Sequence, residues 1–160
     1  MKLPYREGTW FAVPLKQSGF AVGVVARNSK PPGCLLCYFF GPRRNSIPTL
    51  AEVERFMPND AIRVFRVGDL HLIKGRPPRG TWPIIGHSIS WKRTDWPMPP
   101  FVRREPLTNP PRAWRVYLSD TDTLSIDREE PEPYDSLLEP YMLAGAEAAE
   151  IMLTKMLAQR

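Results

Sequence analysis

Proline is the residue that most constrains how this chain can fold. The sequence contains 19 prolines among 160 residues, roughly twice the usual share of about 5%. Proline lacks a backbone N–H, so it interrupts helix interiors and central strands. We therefore expect many loops and edge strands rather than a helical bundle. The length is typical of one domain that can bury a substantial core.

Several segments have the alternation, or the continuous apolar character, of β-strands. The first two form a predicted hairpin with its turn at Gln17-Ser18-Gly19. Gly23 in the second strand indicates a bulge or close packing. The predicted strands are Trp10–Leu15, Phe20–Ala26, Cys34–Phe40, Ile62–Val67, Leu70–Ile73, Trp82–Ile85, Trp114–Leu118 and Leu124–Ile126.

Two helices are predicted in addition. Thr49 can cap a short helix, because Glu52 three residues later completes a capping box. A longer amphipathic helix is predicted at 135–158, since its apolar residues recur at helical spacing. An acidic, proline-bounded segment at 128–134 is predicted to be the linker that precedes it.

These elements predict a single domain over 1–160, with a β-rich body at 5–127. The expected fold class is α+β, mostly β. We expect a small curled antiparallel sheet or a barrel, with one short internal helix and a C-terminal amphipathic helix.

Charge is distributed unevenly along the chain. Residues up to Ser119 carry 19 basic and seven acidic side chains, whereas the residues from Asp120 onward carry three basic and ten acidic ones. A basic body can attract nucleic acid or an acidic partner. Alternatively, the two parts neutralise each other across one folded surface, which is the simpler interpretation.

The residues with reactive side chains form no recognisable catalytic or metal-binding pattern. Cys34 and Cys37 have C-x-x-C spacing, but no further ligands accompany them, so we interpret them as buried structural thiols without a disulfide. His71 and the His87–Ser88 pair lack a carboxylate placed to orient the ring. An enzyme using His87 or the cysteines is the weakest hypothesis, and we predict no catalytic residue, metal or cofactor.

The segment Trp91–Arg104 mixes aromatic and basic residues in a proline-rich context. Such residues are the usual anchors of protein–protein contacts, and they also bind single-stranded nucleic acid. A purely structural role is the third alternative. The predicted partner-binding residues are Trp91, Arg93, Trp96, Arg103 and Arg104.

Several of these motifs resemble those of one known family. The residues GTWFAVPL, GFAVGVV, CYFF, IRVF and GTWPIIG occur in the order seen in the bacterial immunity protein 26 family. The resemblance extends over about Tyr5 to Leu157. It implies a non-enzymatic protein that binds and neutralises a cognate polymorphic toxin, without a cofactor. A nucleic-acid-binding β-barrel module is the alternative.

The expected location is the cytoplasm. The N-terminus lacks the apolar core of a signal peptide. The longest apolar run, Cys34–Phe40, is far shorter than the roughly 20 residues of a membrane-spanning helix.

Overall fold

The computed structural model describes residues 3–68, 72–73 and 82–158. His71 and the predicted turn residue Asp69 lie outside these ranges, as does Leu70 at the start of a predicted strand. The described residues are mainly β-strands, with two α-helices, so the predicted α+β, mostly β class is confirmed.

The larger sheet has seven strands in the order β11-β4-β3-β2-β1-β6-β5. Neighbours from β4 to β6 are antiparallel, whereas β11 joins β4, and β5 joins β6, in parallel. The strands are β1 (Thr9–Pro14), β2 (Phe20–Arg27), β3 (Cys34–Arg44), β4 (Arg63–Gly68), β5 (Leu72–Ile73), β6 (Trp82–His87) and β11 (Leu143–Ala144).

The smaller sheet has four strands in the order β10-β7-β8-β9. Its strands are β7 (Phe101–Glu105), β8 (Arg112–Ser119), β9 (Asp122–Glu132) and β10 (Glu139–Pro140). β10 is parallel to β7, so the expectation of purely antiparallel sheets is corrected. Within the described ranges both sheets are open, which favours the curled-sheet alternative over a barrel.

The two helices are α1 (Leu50–Val53) and α2 (Ala146–Ala158). The capping box of α1 is confirmed: Thr49 Oγ1 accepts from the N–H of Glu52, and the Glu52 carboxylate accepts from the N–H of Thr49. In the part of the chain that the structure describes, no helix is long and apolar enough to cross a membrane.

Two predictions for the C-terminal part were wrong. Most of the expected linker at 128–134 belongs to β9, whose carboxylates accept hydrogen bonds from side chains on the adjacent strand β8 and on β7 beyond it. The helix expected over 135–158 begins only at Ala146, because the preceding residues pair with the sheets as β10 and β11. Glu139 is also fixed in β10 by a 2.8 Å ion pair with Arg63.

The larger sheet is covered on both faces. Alternate residues of β3 face opposite sides: Phe39 joins a core formed with α2, whereas Phe40 joins a second core formed with the smaller sheet. Ala149 and Leu153 of α2 complete the first core, and Phe101 of β7 belongs to the second. The continuous apolar run in Cys34–Phe40 is thus confirmed as a strand buried on both faces.

Gly23 lies where two phenylalanine rings pack directly on the backbone of β2. A Cβ atom there would lie 2.4 Å from Cζ of Phe11 and 3.1 Å from Cδ1 of Phe39. We expect Gly23→Val to lower the free energy of unfolding by about 1–3 kcal/mol. Urea unfolding measures this effect, with Gly68→Ala as the control because a Cβ at Gly68 meets no atom of the described residues within 4 Å. Equal stability of Gly23→Val and wild type would contradict this packing.

Candidate functional site

A small cleft with aromatic walls opens where the loop after β6 meets β1 and the residues that follow α1. Its volume is about 140 Å³. The lining combines four aromatic, three charged and three smaller or flexible side chains: Trp10, Phe56, Trp91, Trp96, Glu54, Lys92, Asp95, Ser88, Ser90 and Met57. We call this feature the Trp91 cleft.

Trp91 forms the outer layer of an aromatic stack. Its ring lies nearly parallel to that of Trp96, with centroids 4.9 Å apart. Trp96 meets Trp10 and Tyr38 edge to face, at centroid distances of 5.9 and 5.1 Å. Trp96 is only 7% exposed and belongs to the second core, whereas Trp91 remains partly exposed. The stack therefore gives Trp91 a rigid support at the surface.

The indole N–H of Trp91 is shielded from solvent and has no hydrogen-bond acceptor among the described residues. Trp10, by contrast, donates its indole N–H to Ser88 Oγ at 2.8 Å. An unpaired buried donor costs about 1–3 kcal/mol. Local conflicts of this kind are expected at functional positions. The ring of Trp91 therefore packs on the second core while its indole N–H is left without a partner among the described residues.

Exposed apolar side chains adjoin the cleft. Met57 is 56% exposed and lines the cleft directly, and Ile89, between the two lining serines, is 98% exposed. The Asp60 carboxylate accepts from the N–H of Met57 at 2.8 Å and so fixes the 3₁₀ turn at Pro58–Asp60. Exposed apolar side chains with a charged rim are typical of protein contact surfaces. Single apolar residues in loops form no pattern, so sequence reasoning missed both.

Arg93 anchors the loop that carries Trp91. Its Nε donates to Glu7 at 3.0 Å, and its terminal nitrogens donate to the side chain and backbone of Asp120. Asp120 also accepts from Nε of Arg27, which is almost fully buried, at 2.8 Å. The cluster ties the N-terminal residues, the loop and the β8–β9 turn together. It thereby fixes the backbone of the loop that contains Trp91.

The Asp120 carboxylate makes this anchor sensitive to pH. Burial acts to raise its pKa, but hydrogen bonds from Arg27 and Arg93 outweigh that effect and lower the pKa below its ordinary value of 3.8. A lowered folded-state pKa means that ionised Asp120 stabilises the fold above about pH 4, and that this contribution is lost as pH falls through the folded-state pKa.

We expect Asp120→Asn to be less stable than wild type at neutral pH, by about 1 kcal/mol, because the carboxylate is partly solvated. The difference should shrink towards zero in acid, where wild-type Asp120 is also neutral. Urea unfolding of both proteins measures this, from neutral pH down to the lowest pH at which both remain folded. A difference that stays constant into acid would contradict the assignment.

The sequence of the chain was compared with models of known protein families. The model of the immunity protein 26 family matches residues 6–113, which is more than half of the chain. The chain belongs to the immunity protein 26 family. Members of this family are immunity proteins, which act against toxins. Searches of curated proteins and of solved structures found no match.

The family match separates two parts of this immunity protein 26 member. Every residue that lines the Trp91 cleft falls within the matched range. The match ends at Ala113, near the start of β8. The cleft thus belongs to the part of the chain that the family model describes.

The predicted arginines lie apart from the cleft or are engaged within the protein. Arg103 contacts Glu105 and Glu129 at 2.9 and 3.0 Å. Arg104, the next residue of β7, donates to the carbonyl oxygens of Tyr134 and Ser136. Adjacent strand residues point to opposite faces of a sheet. Arg103 and Arg104 therefore cannot both lie on the same surface as Trp91. A role in partner binding remains a prediction for all five residues that the sequence indicated.

The acidic C-terminal part of this immunity protein is folded onto the basic body. Ion pairs join the two parts at many points, which agrees with the interpretation that their charges neutralise each other. Fewer basic side chains are then free to bind the phosphate backbone of a nucleic acid. The pairs are Lys16–Glu147, Lys16–Glu150, Arg27–Asp120, Arg63–Glu139, Arg93–Asp120, Arg103–Glu129 and Arg115–Glu132.

The cysteines and His87 occupy structural positions. Cys34 and Cys37 are free thiols in β3, both buried as predicted, and burial raises the pKa of Cys37 well above its ordinary value. Nδ1 of His87 lies 2.7 Å from Oγ1 of buried Thr9, whereas Ser88 Oγ accepts from Trp10. Nδ1 of His87 is thus within hydrogen-bond distance of Thr9, and the Ser88 hydroxyl is a hydrogen-bond partner of the Trp10 indole. Across the described residues, no group of His, Cys, Asp and Glu could hold a metal ion.

Proposed function

We propose that this immunity protein 26 family member protects its cell by binding a cognate protein toxin, and that the Trp91 cleft is the centre of the contact surface. The observation that carries the proposal is the combination of a rigidly supported, partly exposed Trp91 with exposed Met57 in the same cleft and exposed Ile89 in the loop that carries Trp91. Binding energy at protein interfaces is concentrated in such aromatic and apolar anchors, surrounded by a polar rim.

Neutralisation by this route requires tight binding and no chemical step. A bound immunity protein excludes the toxin's substrate or holds the toxin in an inactive conformation. Because Arg93 and the aromatic stack fix the loop in advance, little side-chain freedom is lost on association. Among the residues indicated by the sequence, we propose direct contact for Trp91 and a supporting role for Trp96.

The test uses the protein encoded beside this gene, since immunity genes usually accompany their toxin genes. The purified, catalytically inactivated neighbour protein is titrated into this immunity protein in a calorimeter, at low and high salt and after nuclease treatment. A saturable 1:1 complex that survives nuclease and salt is expected. Absence of binding, or binding that disappears with nuclease treatment, would overturn the proposal, and the second outcome would favour the nucleic-acid alternative.

A further inference from the structure

The Trp91 cleft has the size of a pocket for one side chain. Its volume of about 140 Å³ is well below the roughly 300–1,000 Å³ of pockets that enclose whole small-molecule ligands. Its aromatic lining residues are Trp10, Phe56, Trp91 and Trp96. Trp10 and Trp96 are buried, so the partly exposed rings of Phe56 and Trp91 supply the accessible aromatic surface. A peptide segment could therefore insert only the end of one side chain into the cleft.

The charged residues of the lining indicate the sign of the charge that an inserted side chain would carry. Glu54 and Asp95 both line the cleft, and neither carboxylate takes part in an ion pair among the described residues. Lys92 is the one cation in the lining. Arg44 lies near Phe56 but is paired with Glu52 at 3.5 Å. The lining thus has a net charge of about −1, and its carboxylates are free to accept hydrogen bonds.

Aromatic walls combined with free carboxylates favour a cation over an apolar group. A cation over an indole face gains about 0.5–1 kcal/mol at an exposed site. Arginine suits this cleft better than lysine, because its planar guanidinium stacks on a ring and donates in a fixed geometry to carboxylates. The guanidinium is also less strongly hydrated than an ammonium group, so it loses less on entering an aromatic pocket.

We propose that the Trp91 cleft binds an arginine side chain of the partner, with the guanidinium against the exposed ring surface of Trp91 and Phe56 and paired with Glu54 and Asp95. This inference rests on the proposed function for the source of the arginine, and it names the chemistry that the cleft recognises. Lys92 repels the bound cation. Removing the charge of Lys92 should therefore have the opposite effect on binding from removing the charge of Glu54 or Asp95.

The direct test needs no toxin. N-acetyl-arginine methylamide is titrated into ¹⁵N-labelled protein, and the indole N–H resonances are followed by NMR, with Trp91→Phe identifying the signal of Trp91. The matching lysine and norleucine methylamides serve as control ligands. We expect saturable millimolar binding of the arginine compound, with weaker binding of lysine and none of norleucine. Equal or tighter binding of either control, or no response to arginine, would overturn the assignment.

Charge variants test the same proposal independently. Glu54→Gln and Asp95→Asn should each raise the Kd of the arginine compound about threefold, as expected for exposed ion pairs. Lys92→Gln removes the opposing positive charge from the lining, and it should lower the Kd. These changes alter surface side chains without altering their size greatly, so folding should be retained. Unchanged affinity in both carboxylate variants would contradict the proposal.

The toxin titration separates this inference from the proposed function. If the toxin binds wild type, and its affinity falls in Glu54→Gln and Asp95→Asn but not in Lys92→Gln, both stand. If the toxin binds all three variants equally, the arginine assignment fails while the immunity function stands. If no toxin binds but the arginine compound does, the proposed function fails and the cleft remains a site for a cationic side chain.

Discussion

Replacing Trp96 with alanine is expected to lower the free energy of unfolding by about 3–5 kcal/mol. The side chain is 7% exposed and contacts the rings of Trp10, Tyr38, Phe40 and Trp91. Removing it leaves a cavity in the second core that these rings can fill only partly. Since domains of this size are stable by about 5–15 kcal/mol, the loss is a large fraction of the total.

Urea unfolding monitored by circular dichroism measures this loss. Leu107→Ala is the control, because Leu107 is 98% exposed in the loop between β7 and β8 and should change stability by less than about 0.5 kcal/mol. Trp96→Phe should retain part of the packing and lie between wild type and Trp96→Ala. Wild-type stability of Trp96→Ala would show that Trp96 is not a core residue, and the description of the aromatic stack would then be wrong.

The combined change Trp91→Ala and Met57→Ala is expected to weaken toxin binding by about 30-fold or more, which corresponds to about 2 kcal/mol at an interface hot spot. Both side chains line the cleft and reach the surface, so their removal takes away the proposed anchors. Stability should fall much less than in Trp96→Ala, because Met57 is exposed and Trp91 is less buried than Trp96.

Isothermal titration of the toxin into the double variant measures this effect. Leu107→Ala again provides the control, since it removes an exposed apolar side chain from a different loop. The control should bind like wild type. If the double variant is folded and also binds like wild type, the toxin contacts another surface and the cleft is not the centre of the interface.

Local sequence signals predicted the elements that depend on neighbouring residues. The first hairpin, the capping box of Thr49 and the two-sided burial of Cys34–Phe40 follow from turn residues, caps and apolar runs, all of which act over a few positions. The amphipathic part of the C-terminal helix was recognised for the same reason, but its start was not. Residues before Ala146 pair with distant strands, and their sequence does not show those partners.

The parts that sequence reasoning missed depend on contacts between distant residues. The predicted strand Leu124–Ile126 lies within β9, but β9 continues to Glu132 through Pro131 and several carboxylates, which are poor strand formers. β9 is held by partners on β7 and β8, such as Arg103 for Glu129 and Tyr117 for Glu130. The structure of the Trp91 cleft likewise depends on contacts between residues that are distant in the sequence. The sequence indicated Trp91 and Trp96 together, but only packing distinguishes the exposed ring from the buried one.

A growth assay tests whether this chain neutralises a toxin through the Trp91 cleft. Toxin and immunity protein are co-expressed, with the immunity protein reduced to the lowest level at which wild type still protects. At that level, cells with wild type or Leu107→Ala should grow, and cells with the Trp91→Ala and Met57→Ala variant should not, at equal amounts of folded protein. Full protection by the double variant would contradict the account.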